Sequence, residues 1–308
     1  MIDIDTFVIT VYVMVDDFCK SYRAPQRRPG PAPRLSRSEV VTLALMGQWG
    51  CFLSERGFYR WAQTHLSWAF PHLPDRSQLN RQIRDEHDTI NAFSLSVVEH
   101  LHARHSSYEI VDGSAAPTRD AKRRGRGWLP GLADIGWSNR LGWYEGFKML
   151  LSISPLGVIT GFGFGPASTN ELLLADTFFA ARSFPHPALP TVGPPAVGPY
   201  LSDKGLLGQA YHHSWKQAYD VDLITPPKRN SNKPWSKQIR RWLSGRRQVV
   251  ESVYNHLHHT FRLVRERPHQ LAGFRVRLAA KIALHNFCIW LNRQLGRPPM
   301  AFAELITW

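Results

Sequence analysis

The chain has 308 residues, 43% of them hydrophobic, which is enough for one large domain with a smaller one and excludes a mostly disordered protein. Its 38 Lys and Arg outweigh 24 Asp and Glu to give a formal charge of +14, a field that draws anionic partners such as nucleic acid or an acidic membrane surface. The longest apolar run, Thr6 to Val15, is about half of the roughly 20 residues that a bilayer crossing needs, so no membrane partner is expected.

The first element is a buried helix or strand at Thr6 to Val15, and the opening MIDIDTF has neither the basic start nor the small-residue cleavage site of a signal peptide. A cytoplasmic location is therefore expected. Cys19, Cys51 and Cys288 are widely spaced and read as small buried residues in a reducing compartment. Arg23 to Arg34, RAPQRRPGPAPR, is too rich in proline for a helix interior or core strand and reads as a linker or a DNA-touching arm. Ser36 and Glu39 form a capping box that opens a helix, and Ser54 to His65, Ser77 to Arg84 and Ile90 to His102 carry helical periodicity. Residues 1 to 105 are expected to be a helical region. A helix-turn-helix within it would present Arg76, Gln78, Asn80, Arg81 and Arg84 to DNA.

From Ser107 the pattern changes to short apolar runs: Tyr108 to Val111, Phe147 to Ile153 and Val158 to Phe164, the last two joined by the turn Ser154 to Gly157. Asn170 caps a helix running to Ala181, and a Pro-rich loop leads to a strand at Tyr200 to Ser202. A helix at Leu206 to Tyr219 and a strand at Val221 to Thr225 follow. From Ser236 onward the chain reads as helical, with breaks near Gly245, Pro268 and Gly273. A hairpin followed by alternating strands and helices predicts an α/β core with a mixed sheet.

Asp112 in YEIVDGS and Asp203 in PYLSDKG each follow a short apolar strand and precede glycine, a usual setting for ligand-binding groups at strand ends as well as for turn formers. Glu251 lies on a helix with the apolar stripe Val249, Val250, Val253, Leu257, Phe261 and Val264. Spacings of three and four put Arg247, Glu251, Tyr254 and His258 together on its flank. That face is either a solvated one with an Arg247–Glu251 ion pair or part of a site, and periodicity leaves both open. Carboxylates that converged would suit Mg²⁺ or Mn²⁺.

IVDGS, YLSDKG and RRQVVESVYNHLHHTFRLVRERP, in that order, resemble the three catalytic blocks of DDE transposases from bacterial insertion sequences. GWYEGFKMLLSIS resembles the second strand of that family, and FPHLPDRSQLNRQIR a helical N-terminal segment of some members; the likeness spans residues 36 to 295. The resemblance implies a ribonuclease-H-like mixed sheet flanked by helices over residues 106–295, a helical N-terminal region over 1–105 and a tail over 296–308. It implies that Asp112, Asp203 and Glu251 are the catalytic residues and hold Mg²⁺ or Mn²⁺, two ions about 3.5 to 4 Å apart. Asp112 would bridge both ions.

The implied reaction is cleavage at transposon ends and transfer of the 3′-hydroxyl into target DNA, performed by a homodimer on terminal inverted repeats in a bacterial cytoplasm. Many relatives carry tyrosine three residues before the arginine and lysine or arginine seven after the glutamate, where this chain has Ser244 and His258. Arg247, His258, Lys204 and Lys148 are the implied DNA contacts near the acidic trio. Rival readings are a nuclease that does not join strands and an inactive transposase that only binds DNA.

Between Pro226 and Arg277 thirteen Lys and Arg face only Glu251 and Glu266, a local excess of eleven that suggests a DNA-facing surface and includes Lys228 and Arg229. Arg123 and Arg124 belong to a second basic cluster after the first aspartate. Trp128, Trp137, Trp143, Tyr144 and Trp235 are either core residues or platforms for unpaired bases.

Overall fold

In a computed structural model of the chain, the described residues are 1–22, 33–120, 128–184, 193, 195–227, 232 and 234–308. Expectations for Arg23 to Ala32, Arg123, Arg124, the Pro-rich loop at 185–192, Lys228 and Arg229 lie outside them. In chain order the elements are β1 (Ile2–Asp3), α1 (Ile4–Ser21), α2 (Arg37–Met46), α3 (Glu55–His65), α4 (Arg76–Asp85), α5 (His87–His100), β2 (Glu109–Asp120), β3 (Asp134–Ser138), β4 (Gly142–Ile153) and β5 (Ile159–Pro166). There follow α6 (Glu171–Ser183), β6 (Tyr200–Leu201), α7 (Gln209–Tyr219), β7 (Leu223–Ile224), α8 (Lys237–Asn255), α9 (Leu271–Gln294) and β8 (Ile306–Thr307).

These elements form two compact units, one of residues 1–97, 259–262 and 272–308 and the other of 98–258 and 263–271. In the first, Ser36 and Glu39 close the expected capping box at the start of α2. α2 is buried nearly all round, so its amphipathic signal is weak and its place is interior. Lys281 of α9 is fully buried and donates to Gln48 Oε1 at 2.7 Å, which satisfies a charge that would otherwise be costly to bury. α3 and α4 are separated by residues 66–75, longer than the short turn of a helix-turn-helix. On α4, Asn80 donates to Glu55 and Arg81 to Gln78.

The second unit holds a six-stranded mixed sheet in the order β3-β4-β2-β6-β7, with β5 pairing the same long β4. β2 is antiparallel to β4 and parallel to β6; β6 is parallel to β7, and β4 is antiparallel to both β3 and β5. This is the flanked mixed sheet expected of a ribonuclease-H-like domain. Val111, Leu150, Leu174, Phe178, Phe179, Tyr200 and Trp215 pack α6 and α7 onto the sheet. Burial of each large apolar side chain contributes about 1.5–3 kcal/mol. Arg182, 1% exposed, donates to the equally buried Glu109 at 2.7 Å and to the Gly193 carbonyl at 2.9 Å, so the charges under this core are paired.

Three local expectations change. β2 does not end at Val111 but runs on to Asp120, because pairing with β4 continues past a bulge between Pro117 and Arg119. α8 passes through Gly245 without a break; a Cβ there would meet nothing within 4 Å, and the helix tolerates glycine on this open face. Gly273 likewise lies inside α9. After Asn255 the helix widens into a π turn, His256–Thr260, a feature frequent at functional sites.

Candidate active site

Strand alternation turns Val111 into the core beneath α6 and α7, so Asp112 emerges on the other face of β2, where α8 supplies Arg247. Asp203 follows β6, parallel to β2, and caps the short turn Lys204–Leu206 by accepting from Gly205 N–H at 2.6 Å. Arg247 Nη2 lies 3.5 Å from Asp112 Oδ2 and 3.5 Å from Asp203 Oδ2. Two aspartates far apart in sequence thus share one guanidinium.

Burial is the largest influence on Asp112 and raises its pKa from 3.8 to about 6; Arg247 pulls the other way, and the Asp203 charge adds to the rise. Tyr254, on α8, donates to the Asp112 backbone carbonyl at 2.6 Å and fixes the strand at this point. Its phenol is pushed well above its usual pKa by burial and then by the charges of Asp112 and Glu171, so it remains a donor.

Glu171 was not among the expected site residues. It stands in the first turn of α6, after the Asn170 cap, and its carboxylate fills space left open by two glycines. A Cβ at Gly113 would lie 3.6 Å from Glu171 Oε1, and one at Gly205 would lie 2.4 Å from Oε2 and 2.9 Å from Asp203 Oδ1. The signal in the sequence is the glycine that follows Asp112 by one residue and Asp203 by two.

Glu251 lies one turn beyond Arg247 on α8 and is exposed. The expected flank therefore divides: Arg247 turns to the aspartates, Glu251 to solvent, and Tyr254 and His258 into the protein. His258, 1% exposed, holds the Ala115 carbonyl at 2.9 Å through Nε2, while Arg140 Nη1 approaches Nδ1 at 3.4 Å. The carbonyl can only accept, so Nε2 carries the proton and Nδ1 accepts from Arg140. Lys148 donates to the Thr169 carbonyl at 2.7 Å beside the Glu171 turn, and Lys204 is exposed next to Asp203. Among the aromatics, Tyr144 is buried, whereas Trp137 and Trp143 are 56% and 63% exposed and meet edge to face at 5.5 Å across β3 and β4.

The donor chemistry at Asp112 and Asp203 fits a hard divalent cation, since both present carboxylate oxygens to a shared positive charge. The third expected carboxylate, Glu251, does not join them in this arrangement. Among the described residues no group of three or more His, Cys, Asp or Glu side chains is gathered so as to hold a metal ion.

The transposase DDE domain family matches residues 108–287, more than half of the chain. The chain belongs to this family. No curated protein matches it. Among solved structures it is similar to a Mos1 transposase paired-end complex with the left transposon end (10% identity, 81% of this chain and 84% of that one, TM-score 0.23). It is also similar to the Mos1 strand transfer complex (10%, 84% and 82%, 0.23) and to a pre-cleavage Mos1 transpososome (11%, 87% and 84%, 0.24). Among the described residues no helix is long and apolar enough to cross a membrane.

Proposed function

We propose that the protein is an insertion-sequence transposase that cuts DNA at the ends of its element and joins the freed 3′-hydroxyl to target DNA. The observation that carries this reading is the convergence of Asp112 and Asp203 on Arg247 within a DDE-family domain. Asp112 and Asp203 would hold Mg²⁺ or Mn²⁺, with Glu251 turning in from its solvent-facing position on α8 to complete the site when an ion is bound. When bound, such ions polarise the scissile phosphate and lower the pKa of the attacking water or hydroxyl.

The remaining work falls to the chain's own side chains. Arg247 and the exposed Lys204 neutralise phosphate oxygens beside the aspartates, while Tyr254 and His258 hold β2 against α8 so that Asp112 keeps its position. Lys148 steadies the turn that carries Glu171. The charge of +14 brings DNA to the site and makes binding steeply salt-dependent. Pairing two element ends requires two active sites, hence a homodimer on DNA, acting in the cytoplasm.

The test is an assay with DNA carrying the element's ends, target plasmid and Mg²⁺. Joined products are expected. Nicks without joining would reduce the activity to that of a nuclease, and retardation without cutting would leave only a DNA-binding protein.

A further inference from the structure

Arg247 is held unlike Arg182 of the same unit. Arg182 meets Glu109 at 2.7 Å, the length of a committed charge-assisted hydrogen bond, with both side chains 1% exposed. Arg247 meets its two aspartates at 3.5 Å through one nitrogen, and its Nε is buried without a hydrogen-bond partner. Its side chain is 28% exposed, so solvent and solutes reach it. The guanidinium is therefore retained by charge more than by directed bonds. Beside it stand the carboxylates of Asp112 and Asp203, two negative groups sharing one positive.

We propose that Arg247 is a displaceable counter-cation: it holds Asp112 and Asp203 at their spacing in the metal-free protein, and a divalent cation binding the two carboxylates exchanges for it. This rests on the metal-dependent reading above and adds a positioning role for Arg247 that precedes any contact with DNA. A divalent ion outcompetes the guanidinium because it carries twice the charge in a smaller volume, while Arg247 loses only two long contacts. Freed from the aspartates, the same side chain is available to a phosphate oxygen.

The test is a Mn²⁺ titration of the full chain without DNA, followed by the electron paramagnetic resonance signal of free Mn²⁺, for wild type, Arg247→Gln and Arg247→Lys. Arg247→Gln removes the competitor and is expected to bind Mn²⁺ on the order of tenfold more tightly. Arg247→Lys keeps a charge and is expected to stay near wild type. Lost packing alone would weaken binding, so unchanged or weaker binding by a folded Arg247→Gln overturns the proposal. A second measurement needs no variant: on adding Mg²⁺ to protein labelled with ¹⁵N-arginine, the Nε–Hε resonance of Arg247 is expected to shift, and Mg²⁺ binding that leaves it unmoved also overturns the proposal. Absence of Mn²⁺ binding in wild type but tight binding in Arg247→Gln supports the exchange. Absence in both overturns the metal-dependent reading itself.

Discussion

Glu171 Oε2 occupies the place that a side chain at position 205 would need: a Cβ on Gly205 would stand 2.4 Å from it. The near atoms at position 205 are ends of flexible side chains, so Gly205→Ala is expected to fold with a loss below about 1 kcal/mol while pushing Glu171 and Asp203 apart. Weaker Mn²⁺ binding with a nearly unchanged urea midpoint is expected. A large stability loss with intact Mn²⁺ binding would reverse the assignment.

The Arg182–Glu109 pair is fully enclosed, and Ser152 also donates to Glu109. Glu109→Ala leaves the guanidinium uncompensated and is expected to cost about 3–5 kcal/mol in urea unfolding. The exposed pair of Lys216 with Asp220 offers a contrast at 2.7 Å, and Lys216→Ala is expected to leave the urea midpoint nearly unchanged.

Asp112 gives the protein a pH dependence of known sign. Because burial raises its pKa from 3.8 to about 6, the folded protein holds this proton more tightly than the unfolded chain does. The resulting stabilisation is present below pH 3.8 and is lost as pH rises through about 6. In metal-free buffer, Asp112→Asn is therefore expected to be more stable than wild type at pH 7.5, by up to roughly 3 kcal/mol at about 1.4 kcal/mol per unit. The gap should close near pH 4. Thermal unfolding at both pH values checks this, and a less stable variant at pH 7.5 would contradict it.

Tyr254→Phe removes one donor to the Asp112 carbonyl with little change of volume. A cost of about 1–3 kcal/mol is expected, since the carbonyl loses a buried partner, and faster amide exchange near Asp112 should accompany it. Unchanged exchange would show that the phenol does not steady this strand.

Much of this arrangement is legible in the sequence where short-range chemistry decides it. Ser36 with Glu39, and Asn170, each cap a helix where their side chains predict one, because a cap is satisfied within a few residues. The hairpin turn at Ser154 to Gly157 is local in the same way. β3 is missed because Asp134 to Ser138 carries two glycine-adjacent apolar residues, Ile135 and Trp137, that both remain exposed. The partners of Arg247 are not legible for a different reason: spacing of four offers Glu251 as one alternative, but Asp112 and Asp203 arrive from distant strands, and helical periodicity contains no information about them. Glu171 escapes notice because its position is defined by space that Gly113 and Gly205 leave open.

The central claim is that Asp112, Asp203 and Glu251 carry metal-dependent cutting of DNA, and single-residue chemistry tests it most directly. DNA bearing the element's ends, incubated with Mg²⁺ and wild type, Asp112→Asn, Asp203→Asn or Glu251→Gln, should be cut by wild type alone, while all four proteins retain comparable affinity for that DNA. Cutting at the wild-type rate by any of the three variants would contradict the account.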